Sequence, residues 1–147
     1  MQILGSDAIL IASLSSQLSA NALLPSQQFS IGGGQSLRGY RQNSLSGDNG
    51  FKLSLETRLT TLRDEQTNRS VLQLAPFIDL GAVWNNSNNP TPLPPQTFLA
   101  AAGLAVIYEP IQNLVIRLDV ALPFVNVQGR GNSLQDAALY FSTSYKF

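Results

Sequence analysis

From Phe51 onward the chain alternates with a period of two: Phe51, Leu53, Leu55, Thr57 and Leu59 fall on one side, Lys52, Ser54, Glu56, Arg58 and Thr60 on the other. That is the signature of a two-faced β-strand built from good strand formers. The last residues repeat it, setting Leu139, Phe141, Thr143, Tyr145 and Phe147 against Ala138, Tyr140, Ser142, Ser144 and Lys146. Residues 114–124 place Leu114, Ile116, Leu118, Val120, Leu122 and Phe124 on one face, with Arg117 and Asp119 together on the other. In residues 72–84, Leu72, Leu74, Ile78, Leu80 and Trp84 oppose Gln73, Phe77, Asp79 and Gly81, and Pro76 predicts a bulge because it lacks a ladder N–H. Two further segments are less sharply patterned. Residues 98–108 read as a strand with Phe98, Leu104, Val106 and Tyr108 outward and small Ala101, Gly103 and Ala105 inward. Residues 8–18 are β-like with poorly separated faces, and helix competes with strand for both.

The connections alternate in length: about thirty residues after the first strand, about seven at 64–70, about a dozen at 85–97, about five at 109–113 and about ten at 125–136. Strands of roughly ten residues, with turns at one rim and long polar loops at the other, predict an all-β fold, an antiparallel transmembrane β-barrel segment of about six strands. Six strands do not close a barrel, since the smallest have about eight. Open edges in lipid would cost several kcal/mol per unsatisfied backbone group, roughly, so the chain is expected to be the C-terminal part of a larger barrel or to close with other chains.

Composition narrows the function classes. Charged residues make up 12% and hydrophobic ones 44% of 147 residues, against about 25% charged in an average soluble domain. No run approaches the roughly 18 apolar residues of a membrane-spanning helix. Nine basic and nine acidic residues give a formal charge of +0 without a basic cluster, which argues against a nucleic-acid partner. Cys and His are both absent, which removes disulfides, thiolate and imidazole metal sites and His-activated nucleophiles. No metal, no cofactor and no enzymatic activity are therefore expected. Ala8 to Leu14 are apolar, but Asp7 precedes them and no Lys or Arg lies upstream, so a signal peptide is not expected.

Within the long polar connection, Gly32-Gly33-Gly34-Gln35-Ser36-Leu37-Arg38-Gly39-Tyr40 sets one permanent cation among glycines. A guanidinium enclosed by protein needs a carboxylate that matches its planar fork. Asp79 and Glu56, both on polar strand faces, are the candidates, although Arg58 and Arg117 compete for Asp79. Gly32, Gly33, Gly34 and Gly39 permit backbone conformations that a tight loop tip requires. A phosphate-cradling loop is excluded because no Gly-Lys-Ser/Thr follows. Tyr40 is expected to pack the tip against the inner wall with Phe77 as its neighbour. Glu56 with Asp79 does not make a glycosidase pair, as both acids already have cationic neighbours. Trp84 and Tyr108 lie near strand ends on the apolar side, where aromatic girdles occur. The Asn- and Pro-rich stretch at 85–95 reads as a spacer.

Leu24-Pro25-Ser26-Gln27-Gln28-Phe29-Ser30-Ile31-Gly32-Gly33 followed by Leu37-Arg38-Gly39-Tyr40 resembles the signature loop of two-partner secretion transporters, the haemolysin secretion/activation proteins with a haemolysin-activator barrel domain. Pro76-Phe77-Ile78-Asp79-Leu80-Gly81 resembles that family's second barrel motif. The terminal strand, with Phe141, Tyr145 and Phe147, is similar to the signal read by the barrel-assembly machinery. The resemblance implies that residues 1–147 are the last six of sixteen strands, with a loop at 20–50 folding into the lumen. It implies an outer-membrane pore that passes a large unfolded exoprotein, with Arg38 anchored on Asp79. Gly32, Gly33, Leu37, Gly39 and Tyr40 complete the loop motif, and Phe77, Gly81 and Glu56 complete the wall. Implied partners are the secreted exoprotein, outer-membrane lipid and the barrel-assembly machinery. Two alternatives stand beside it: an outer-membrane protein assembly factor, and a truncated fragment or soluble β-sheet binding protein that oligomerises through its edges.

Overall fold

The computed structural model describes residues 2–5, 7–127 and 138–147. Among these, nine strands form two antiparallel sheets: β1 (Gln2–Gly5), β2 (Ala8–Gln17), β3 (Phe29–Ile31), β4 (Leu45–Gly47), β5 (Asn49–Arg63), β6 (Ser70–Trp84), β7 (Phe98–Tyr108), β8 (Leu114–Pro123) and β9 (Leu139–Tyr145). Seven of them run in the order β1-β2-β5-β6-β7-β8-β9, and β3 pairs with β4 in a small second sheet. The six alternating segments all became strands, including the two for which helix competed. In β7, Phe98, Leu104 and Tyr108 are exposed and Ala101 and Ala105 are fully buried, so the size pattern along the segment is a two-face pattern. The short β1, β3 and β4 are additions, too brief for alternation to mark.

The sheet is open. β1 and β9 are its two ends and, among the described residues, do not pair with each other. This overturns the expectation of a transmembrane β-barrel segment with about six of sixteen strands, and what stands is an all-β domain of two open antiparallel sheets. The physical reason is that alternation fixes which face a side chain takes, whereas closure depends on strand number, tilt and shear, which a face pattern does not encode. No helix among the described residues is long and apolar enough to cross a membrane.

Two local expectations also change. Pro76 makes no bulge: Glu56 faces Phe77 and Leu59 faces Leu74 in unchanged register, with only the intervening rungs missing, and the irregularity lies between Thr60 and Arg63 instead. A proline without an N–H can drop a ladder bond without inserting a residue. The connection expected at 125–136 lies outside the described residues from 128 onward.

Burial is inverted relative to a water-facing sheet. Leu14, Leu122, Phe124 and Phe141 are 66–70% exposed, whereas Asp79 is 1% and Arg38 7% exposed. The polar face is covered because the connection between β2 and β5, carrying β3 and β4, folds back over it. Its Ile31, Leu37, Tyr40 and Leu45 pack with Val83, Leu99 and Ala101 of β6 and β7 into the main core. The small Ala and Gly side chains of β7 make room for that layer, and Gly81 does the same on β6, where a Cβ would come within 2.9 Å of Leu37 Cδ1.

Candidate functional site

The loop that covers the polar face carries Arg38 across strands β5, β6 and β8. Period-two alternation places Ser54 and Glu56 of β5, Phe77 and Asp79 of β6, and Arg117 and Asp119 of β8 on that face. Arg38 Nε and Nη2 donate to the two Asp79 carboxylate oxygens, each at 2.7 Å, in a bidentate fork. Its main-chain N–H adds a third bond to Asp79 at 3.1 Å. Nη1 donates to Glu56 at 2.9 Å and to Asp119 at 3.2 Å, and Nη2 also reaches the Ser54 hydroxyl at 3.1 Å. That hydroxyl in turn donates to Asp79 at 2.6 Å. All five guanidinium N–H groups thus have acceptors. Below them the Phe77 ring lies face-on, 3.4 Å from Cζ to the centroid, a cation–π contact in a desolvated place.

Two further cations complete the cluster. Arg117 donates to Glu56 at 2.7 and 3.1 Å and to Asp119 at 2.6 and 2.8 Å. Arg58 donates to Glu56 at 2.8 Å. Arg38, Arg58 and Arg117 therefore face Glu56, Asp79 and Asp119, and the cluster is neutral. Burial alone would lower the Arg38 pKa, but the hydrogen bonds and charge of Asp79, with Glu56 and Asp119, outweigh it and leave the pKa raised. Arg38 stays a cation, and its donors are saturated. It is an anchor rather than a ligand-binding group.

The structure brings Arg38, Asp79, Glu56 and Phe77 together and gives Arg58 and Arg117 to Glu56 and Asp119 rather than to Asp79. Gly32, Gly33 and Gly39 have φ of 112°, 99° and 95°, and Leu37 sits beside Gly81 in the core. Tyr40 does pack on the wall, but Phe77 is not its partner, because that ring is occupied by Arg38. Tyr40 Oη instead donates to the Ala100 carbonyl at 2.7 Å and accepts from Val125 N–H at 3.2 Å. Phe141, Tyr145 and Phe147 take no part in this cluster's hydrogen bonds and are exposed, with Tyr145 and Phe147 edge-to-face at 5.1 Å. Trp84 and Tyr108 are exposed at opposite rims.

One buried carboxylate outside this cluster was not legible in the sequence. Asp48, at 0% exposure, accepts from Leu23 N–H at 2.9 Å, Asn86 N–H at 2.9 Å, Asn89 Nδ2 at 2.7 Å and Gln28 Nε2 at 3.3 Å. Burial pushes its pKa up, but the donors of Asn89, Leu23, Asn86 and Gln28 outweigh this and hold it down at about 2. Asn86 Nδ2 also donates to Ser19 and Asn21 carbonyls at 3.1 and 2.8 Å. The Asn-rich stretch is therefore a strap tied to Asp48 and not the expected spacer.

Comparison with known proteins fits this geometry. The family described as haemolysin secretion/activation protein ShlB/FhaC/HecB matches residues 1–106. The chain belongs to that family. Among solved structures, CdiB from Acinetobacter baumannii is similar, with a TM-score of 0.68 and 22% identity over 98% of this chain and 24% of that one. At that identity the likeness speaks for the fold alone, and the chain spans about a quarter of CdiB's length. No curated protein matches the chain. Membership makes this an outer-membrane-associated bacterial protein of a haemolysin secretion/activation family. The membrane-spanning pore implied by the resemblance is overturned by the sheet, which is open among the described residues. With it go the descriptions β-barrel and transmembrane β-strand.

Proposed function

We propose that the chain is a non-enzymatic β-sheet binding module of an outer-membrane secretion/activation protein, acting by strand addition at the free edge of β9. The observation that carries this is the division of the sheet's surfaces. Its polar face is already filled by its own loop, locked through Arg38, while among the described residues β9 pairs with β8 alone. Against the described residues, the outer edge of this seven-residue strand offers a row of unpaired N–H and C=O groups, and an extended segment gains main-chain hydrogen bonds by adding to such an edge. The partner class is an extended stretch of the secreted exoprotein. The outward Leu, Ile and Phe side chains rest on outer-membrane lipid, since a contiguous exposed apolar face marks an interaction surface. Phe141, Tyr145 and Phe147 are the side chains that the assembly machinery reads.

The test is site-specific photocrosslinking in cells that make the cognate exoprotein. A crosslinker at Thr143 or Ser144 of β9 is expected to capture the exoprotein, and one at Asn88 in the strap is not. Capture from Asn88 alone, or no capture from β9, would refute strand addition.

A further inference from the structure

β9 touches more than its neighbouring strand. Tyr140 points to the polar face, and its Oη accepts from Gly39 N–H at 3.0 Å and donates to the Tyr40 carbonyl at 2.8 Å. Its ring covers Gly34, where a Cβ would come within 2.7 Å of Tyr140 Cδ1. One side chain thus holds both ends of the tip that presents Arg38. In the β8–β9 ladder Tyr140 lies opposite Asp119, and Asp119 is one of the acids that Arg38 contacts at 3.2 Å. The same rung therefore delivers a carboxylate to the guanidinium from β8 and a phenol to the loop backbone from β9. Ala138 adds to this end of the core, packing with Phe77 and Ala121, and Phe77 is the ring under Arg38.

We infer that Tyr140 couples the seating of the loop to the pairing of the last strand, so that the Arg38 loop is fully locked only when β9 is docked on β8. Arg38 supplies the charge lock and Tyr140 positions the backbone around it. Two sites that stabilise one arrangement are linked reciprocally: loosening the strand must loosen the loop, and the reverse. The inference goes beyond strand addition and rests on the loop geometry alone. It holds whether or not the β9 edge takes up an exoprotein segment.

Hydrogen exchange of the full chain in detergent tests it. Tyr140→Phe keeps the ring over Gly34 and removes both hydroxyl bonds. It is expected to speed exchange of the Gly39 amide at least tenfold, roughly the loss of one hydrogen bond's worth of protection. The β5–β6 ladder should keep its protection. Loosening of β9 together with the loop would also support the coupling, whereas an unchanged Gly39 amide would overturn it. A second variant works from the other side. Ser142→Pro together with Thr143→Pro removes one β8-facing N–H, because successive residues alternate between β8 and the outer edge, and so weakens the pairing of β9. Exchange across residues 35–41 should rise although Arg38, Asp79, Glu56 and Asp119 are intact. Wild-type protection of the loop in that variant would overturn the inference.

Discussion

Arg38→Met tests the charge lock while keeping a flexible apolar side chain over Phe77. Its cost falls unevenly on the three acids. Glu56 keeps Arg117 and Arg58, and Asp119 keeps Arg117. Asp79 keeps the Ser54 hydroxyl and the loop's own N–H but loses its bidentate cation. Leaving a buried charge without its partner costs about 3–5 kcal/mol. The loop also retains four buried apolar side chains, Ile31, Leu37, Tyr40 and Leu45, each contributing about 1.5–3 kcal/mol by burial. The loop should therefore stay seated but open more often. At about 1.4 kcal/mol per tenfold, exchange of the amides from Leu37 to Tyr40 should rise between roughly a hundredfold and several thousandfold. Amides of Ile78 and Leu80 in the β6 ladder serve as internal references. A rise below about tenfold would mean that the apolar layer alone holds the loop and that the charge lock is energetically idle.

Asp48→Asn should free the strap at 85–97 at neutral pH, seen as faster hydrogen exchange of the Asn86 amide that donates to Asp48, and a wild-type rate would refute the role. In the unsubstituted protein the Asp48 carboxyl lies below its ordinary 3.8, at about 2. A depressed carboxyl stabilises the fold above the unfolded value and loses that stabilisation as pH falls through the folded value. Protection of the Asn86 amide should thus persist down to about pH 4, fall between about pH 4 and 2, and show no such step in Asp48→Asn. Gly39→Ala should destabilise the loop by roughly 1–3 kcal/mol in the same exchange measurement, because φ of 95° is strained for an L side chain. The added methyl would also stand 3.2 Å from Ala101 Cβ.

Face assignment was the part of the fold most legible in the sequence. The alternation around Glu56, Asp79 and Arg117 put those side chains on one side because a strand's period is two, and Arg38 stood out as a cation that needs them. Asp119 was visible on the Arg117 face, but nothing local said that the loop would reach β8. Closure was illegible for the reason that open and closed sheets share one pattern of faces. Asp48 was illegible too: Ser-Gly-Asp-Asn-Gly reads as turn chemistry, and its partners Leu23, Asn86 and Asn89 are 25–41 residues away. Tyr140 alternates like any strand tyrosine, and only the third dimension shows that its hydroxyl meets residues a hundred positions earlier.

A double-mutant cycle between Arg38→Met and Asp79→Asn, read as the opening free energy of the loop, tests the central claim most directly. With a neutral amide in place of the Asp79 carboxylate, no buried charge is left behind when the guanidinium is gone. The double variant should therefore be less destabilised than the sum of the singles, with a coupling of about 2–3 kcal/mol. The same cycle with Glu56→Gln should give a smaller coupling, because Arg117 and Arg58 stand in for Arg38 there. A coupling near zero for Asp79, or one larger for Glu56, would contradict an anchor centred on the Arg38–Asp79 fork.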